Sequence, residues 1–81
     1  MNTDRARHVL LEAVGLVAPD VDPAALEPSE SLRDQAGLDS IDFLELVALL
    51  ADVLHADIPE DDYPKLDTID SAVAYLAPKL D

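Results

Sequence analysis

The sequence predicts an all-α fold, a small four-helix bundle of three main helices plus one short helix, with a long first loop. Three observations carry that prediction. The hydrophobic fraction is 49%, yet it includes one Phe, two Tyr and no Trp, so a core must be built from Ala, Val, Leu and Ile, which suits short packed helices better than a β-sandwich. Apolar residues recur at helical spacing in three separate segments, and prolines break the chain around them. The 81 residues make one domain, residues 1–81, and a chain of that length buries only about 60–65% of the surface its unfolded form exposes.

Residues 4–17 place Ala6, Val9, Leu10, Ala13, Val14 and Val17 on one helical stripe, with Thr3 as cap and Asp4 favourable in the first turn. Gly15 weakens the last turn and Pro19 stops the helix. From Ala18 to Leu38 the chain carries Pro19, Pro23, Pro28 and Gly37 and reads as a long loop, pinned by Leu26, Leu32 and Leu38, with a short helical turn near Ser31–Gln35. The second main helix runs from about Ser40 to His55, and either Asp39 or Ser40 can cap it, with Asp42 as the far partner of a capping box. At 100° per residue, Phe43, Leu46, Leu50 and Leu54 share its core face, while Ile41, Glu45, Ala48 and Asp52 share the opposite one. After Ile58-Pro59, the run EDDYPKL supports one irregular turn or two, because Pro64 disfavours helical backbone at Tyr63. Asp67-Thr68-Ile69-Asp70 then resembles a second capping box, and Ile69, Ala72, Val73 and Leu76 continue at helical spacing until Pro78.

Eighteen acids against five bases give a formal charge of −13, which excludes nucleic acid or an anionic membrane as the default partner, since phosphate contacts need Lys and Arg. Partners should carry basic patches. Between Asp39 and Asp62 there are eight acids and no Lys or Arg, a run that serves either solubility or recognition. The chain has no cysteine, hence no disulfide and no thiolate of its own, its start lacks the apolar stretch of a signal peptide, and no apolar run approaches membrane-spanning length. A cytoplasmic monomer is expected.

No catalytic constellation is legible. Ser40 sits in GLDSID, which lacks the Gly-x-Ser-x-Gly elbow, and His8 and His55 are 47 positions apart, so neither can be paired with it. No metal site is expected: the acidic stretch from Asp20 departs from a calcium loop, with Ala24 and Ala25 at the third-ligand and glycine positions and Ser31 where the bidentate Glu belongs. What remains is an exposed serine at a helix start between Asp39 and Asp42, either a simple cap or a place to attach something.

The run GLDSIDFLELV resembles the attachment segment of acyl carrier proteins, and IPEDDYPKLDTIDSAVAYL is similar to that family's Ile-Pro-acid stretch, short third helix and closing helix. SLRDQAGLDS upstream matches the loop that descends to the attachment site, so the resemblance covers roughly residues 4–77. It implies a non-enzymatic carrier whose Ser40 bears 4′-phosphopantetheine, donated from coenzyme A, with Asp39 and Asp42 flanking it for the phosphopantetheinyl transferase. It also implies a partner-binding face of Ile41, Asp42, Glu45, Ala48, Asp52, Glu60 and Asp61, extended by Asp62, that meets acyl-transferring or condensing enzymes with basic patches. An acyl cavity lined by Phe43, Leu46, Leu50, Tyr63 and Leu66 follows from the same comparison. The thioester chemistry then belongs to the cofactor thiol, as a cysteine-free protein requires.

Phe43 and Tyr63 stand where many fatty-acid carriers have smaller residues, which either narrows the cavity toward short or polar acyl groups or repacks an unchanged one. Ala51 and Val53 replace acids common in those carriers, favouring a specialised pathway. The expected function is delivery of acyl thioesters in fatty-acid, polyketide or related specialised biosynthesis. The alternatives are an aminoacyl or aryl carrier in peptide or cell-envelope assembly, and a non-covalent acidic helical adaptor.

Overall fold

A computed structural model describes residues 2–80, so Met1 and Asp81, the ends of the expected domain, lie outside the described residues. Four α-helices follow in order: α1 (Thr3–Val17), α2 (Leu32–Ala36), α3 (Ser40–Leu54) and α4 (Ile69–Leu76). Short 3-10 segments lie at Pro23–Ala25, Glu60–Leu66 and Ala77–Leu80, and no strand is present among the described residues. The all-α bundle matches the expectation, with the irregular third segment taking 3-10 form around Pro64.

α1 is the strut, packing against both α3 and α4. Its Ala6, Leu10, Ala13 and Val14 are buried, and they meet Leu46 and Leu50 of α3 and Ile69, Val73 and Leu76 of α4 in one apolar core. Truncating a fully enclosed leucine such as Leu46 or Leu50 to Ala should cost about 2–5 kcal/mol. No buried polar or charged residue interrupts this core among the described residues, so its specificity rests on shape and on the caps at its rim.

The long first loop is pinned largely as its leucines suggest. Leu32 and Leu38 are buried, and Leu26 packs partly buried against the core. Polar ties do the rest: Gln35 Nε2 donates to the carbonyls of Glu27 (2.8 Å) and Glu30 (3.2 Å), while the Glu27 N–H donates to Gln35 Oε1 (2.6 Å). Leu32 N–H donates to the Asp67 carbonyl at 2.7 Å and Asp70 N–H to the Pro28 carbonyl at 3.0 Å, tying the loop to the start of α4. Side-chain amide and backbone bonds thus supply the partners that a loop of irregular conformation lacks internally.

Two caps differ from the sequence expectation. Thr3 is the first residue of α1 and the cap position is Asn2. At α4 the capping box is Thr68 with Ser71, one residue beyond Asp67–Asp70, because Ser71 Oγ donates to the Lys65 carbonyl at 2.7 Å and is held there to accept from Thr68 N–H at 3.2 Å. Asp67 has helical backbone (φ −64°, ψ −44°) as the C-cap of the 3-10 segment, whereas Thr68 takes the extended backbone that an N-cap requires.

Candidate functional site

The approach to α3 is set by Gly37, whose φ of 66° ends α2 in a left-handed turn that favours glycine. Leu38 then buries and anchors the chain, and Asp39 takes extended backbone at the N-cap. Asp39 Oδ1 accepts from Asp42 N–H at 2.8 Å, and Asp39 N–H donates to Asp42 Oδ2 at 3.5 Å, completing a capping box. The ambiguity between Asp39 and Ser40 is thereby resolved: Asp39 caps, and Ser40 is the exposed first helical residue, its hydroxyl not needed for the cap.

Along α3, Phe43, Leu46, Val47 and Leu50 turn inward, whereas Ile41, Glu45, Ala48 and Asp52 are exposed on one side. Ile41 is 75% exposed and Leu44 is 52% exposed, so two large apolar side chains stand in solvent within one turn of Ser40. Leu44 escaped the sequence reading, although its offset of four from Ser40 places it on the serine's side of the helix. Toward the end of α3, Ala48, Ala51, Asp52, His55, Ala56 and Asp57 line an open groove of about 550 Å³. His55 itself is the left-handed C-cap, with φ of 52°. Glu60 and Asp61 are exposed at the start of the 3-10 segment, carrying the acidic surface past Pro59.

Asp62 behaves differently from its neighbours. Tyr75 Oη donates to Asp62 Oδ2 at 2.7 Å, and Lys65 Nζ lies 3.4 Å from Asp62 Oδ1, so this carboxylate is turned toward α4. The Tyr75 hydroxyl holds the Asp62 carboxyl below the usual carboxylate range, against the opposing effect of desolvation and with help from Lys65 and Lys79. Burial, followed by the same hydrogen bond, pushes Tyr75 up to about 12. Asp62 is a latch between the 3-10 segment and α4 rather than an outward-facing charge.

The five residues expected to line a cavity divide into two sets. Leu46, Leu50 and Leu66 are wholly enclosed in the core. Phe43 and Tyr63 pack edge to face, with ring centroids 5.8 Å apart and planes at 75°, and together with Arg33, Pro64 and Asp67 they form the walls of an open cleft of about 260 Å³. The Arg33 guanidinium carbon sits over the Phe43 ring, 5.0 Å from its centroid. Arg33 lies ten positions before Phe43 on another helix, and the sequence carries no periodic signal for that pairing.

Among the described residues no cluster of three potential metal ligands exists, and no helix is long and apolar enough to cross a membrane. The family model described as "Phosphopantetheine attachment site" matches residues 8–76.

Proposed function

The chain belongs to the phosphopantetheine attachment family, and from that premise we propose that Ser40 is its attachment residue and that the cargo is an acyl group. As a member it is a carrier rather than an enzyme: it takes a covalent 4′-phosphopantetheine from a phosphopantetheinyl transferase and delivers to partner enzymes. When attached, the arm supplies the thiol on which cargo travels as a thioester.

The observation that carries the Ser40 assignment is a division of labour at the start of α3. Asp39 and Asp42 satisfy the helix start between them, so the serine hydroxyl is exposed and available to a transferase. The fit is steric as well, because Ser40 is exposed and its next helical neighbours on that side, Ile41 and Leu44, are exposed apolar groups suited to contact with a docking enzyme. The carboxylates of Asp39, Asp42, Glu45, Asp52, Glu60 and Asp61 would steer basic-patched partners toward the serine, and long-range attraction speeds encounter without demanding tight binding. A shuttle needs that combination, since it must leave each partner. Fatty-acid, polyketide or related specialised biosynthesis is the setting we assign, and within it the aromatic pair and the reduced charge at Ala51 and Val53 favour a specialised pathway.

The test is an intact-mass measurement after incubation with coenzyme A and a broad-specificity transferase. One phosphopantetheine should add to the wild type and none to Ser40→Ala, which keeps the Asp39 cap and should melt like the wild type. Addition to Ser40→Ala, or no addition under conditions that load a control carrier, would overturn the assignment. An aminoacyl or aryl carrier would load equally well, and would differ only in which adenylating or transferring enzyme charges the thiol.

A further inference from the structure

We infer that the cleft between the end of the Glu60–Leu66 segment and the last turn of α4 docks an acidic segment of a partner protein, one that carries an apolar side chain between two carboxylates. The cleft is lined by Lys65, Ser71, Ala74, Tyr75, Pro78 and Lys79. None of these lies on α3, so the surface is distinct from the one that presents Ser40.

Charge makes the cleft unusual. The chain has five Lys and Arg against eighteen acids, and two of the five converge on one ring. Lys65 Nζ lies 5.5 Å from the Tyr75 ring centroid and Lys79 Nζ lies 4.8 Å from it. Lys65 also meets Asp62 Oδ1 at 3.4 Å, but an ammonium has three donors and this side chain is exposed, so donors remain for a ligand. The ion pairs among the described residues are His8–Glu12 and Lys65–Asp62, and Lys79 belongs to neither; Asp62 feels it only through its field. A local positive site on a chain of −13 attracts carboxylates.

Shape supplies the apolar half. The cleft holds about 500 Å³. Ala74 is exposed and small, Pro78 stands one turn beyond it, and the Tyr75 ring with the two lysine stems completes an apolar wall. The frame is fixed in advance: Tyr75 Oη donates to Asp62 Oδ2 at 2.7 Å, and Ser71 Oγ donates to the Lys65 carbonyl at 2.7 Å. Neither the ring nor the backbone of Lys65 has to be ordered when a ligand arrives, which lowers the cost of binding.

These features select the occupant. Nucleic acid needs more cations than two, and a second copy of this chain brings a further −13. A lone phosphate or carboxylate leaves the apolar wall uncovered. A peptide segment with carboxylates one helical turn apart and an aromatic or leucine side chain between them matches both the lysines and the wall. Its few charges feel the remote acids weakly beyond a Debye length of about 8 Å at physiological ionic strength. A partner held here leaves Ser40 and the acids of α3 uncovered, so it can stay tethered while another enzyme acts at the serine.

The experiment titrates the full chain into a fluorescein-labelled helical peptide of about 15 residues, read by anisotropy. The peptide carries Glu pairs one turn apart around a central Phe and Leu; control peptides have Gln for Glu, or Ala for Phe and Leu. The acidic apolar peptide should bind saturably and both controls more weakly. Lys79→Gln should weaken binding about threefold to fivefold, the scale of one exposed ion pair, and Lys79→Glu or Ala74→Glu by about tenfold or more, while Lys79→Arg retains it. Circular dichroism melts check that the variants fold, and amide shifts in NMR should concentrate at Ser71, Ala74, Tyr75 and Lys79. Loading of Ser40 by a transferase should proceed at an unchanged rate with the peptide bound. No saturation by about 1 mM peptide, equal binding of the control peptides, or indifference to Lys79→Glu would overturn the assignment. So would shifts centred on α3 with blocked loading, or a wild-type dimer in sedimentation that Lys79→Glu dissolves, which would make the occupant a second copy. The Ser40 assignment has its own test and stands or falls separately.

Discussion

Replacing Asp39 separates its two duties, capping α3 and presenting charge beside Ser40. Asp39→Ala removes the 2.8 Å bond to the Asp42 N–H, leaving that donor to water because the site is exposed. Loss of a side-chain cap costs about 0.5–2 kcal/mol, and exposure places this site in the lower half of that range, near ~1 kcal/mol. For a domain of this size ~1 kcal/mol lowers the melting temperature by roughly 4–8 °C. Asp39→Asn keeps an equivalent capping oxygen while deleting the charge, so it should melt within about 2 °C of the wild type. The return bond from Asp39 N–H to Asp42 is 3.5 Å, at the limit for a hydrogen bond, so Asp42→Ala should destabilise less than Asp39→Ala. Thermal melts followed by circular dichroism measure stability, and the rate of loading by a phosphopantetheinyl transferase measures the charge duty. Asp39→Asn should fold normally yet load more slowly, increasingly like the wild type as salt screens both. An Asp39→Ala protein that melts with the wild type, or an Asn variant as unstable as the Ala one, would refute the capping argument.

The concentration of eight acids without Lys or Arg between Asp39 and Asp62 should make the melting temperature rise with ionic strength near neutral pH, and a melt insensitive to added sodium chloride would contradict that. The two glycines should respond oppositely to Ala: Gly15, helical with open space around its Cβ position, should gain about 0.5–1 kcal/mol, whereas Gly37, at φ 66°, should lose about 1 kcal/mol, both read by urea unfolding. Tyr75, raised from its ordinary 10.0 to about 12, contributes stability that is complete below pH 10 and lost as pH rises through 12. Asp62, held low by that hydroxyl, contributes above the usual carboxylate range and loses its contribution as pH falls through its depressed folded value. Tyr75→Phe should therefore lower stability at neutral pH and flatten both limbs of a stability profile taken between acid and pH 12, and an unchanged profile would contradict the latch.

Much of the molecule follows from the sequence alone, because period and capping chemistry are local. The spacing of Phe43, Leu46 and Leu50 settles which side of α3 is buried, and the same period sets Ile41, Glu45, Ala48 and Asp52 on the other. Pro59 and Pro64 suffice to make the third segment short and irregular. The acidic surface and the absence of an intrinsic thiol are matters of composition.

Tertiary structure decides whatever depends on residues distant in the chain. Thr68 caps α4 in place of Asp67 because Ser71 is held by the Lys65 carbonyl and Asp67 still has the helical backbone that closes the 3-10 segment, neither of which a local pattern contains. Asp62 reads as one more surface acid until Tyr75, thirteen positions on, turns it inward. Arg33 reads as a cation in a short helical turn of the first loop until packing sets it over the ring of Phe43 and makes it part of a cleft with Tyr63, Pro64 and Asp67. Helical period reports which way a side chain faces along its own helix, and only packing fixes what stands opposite it.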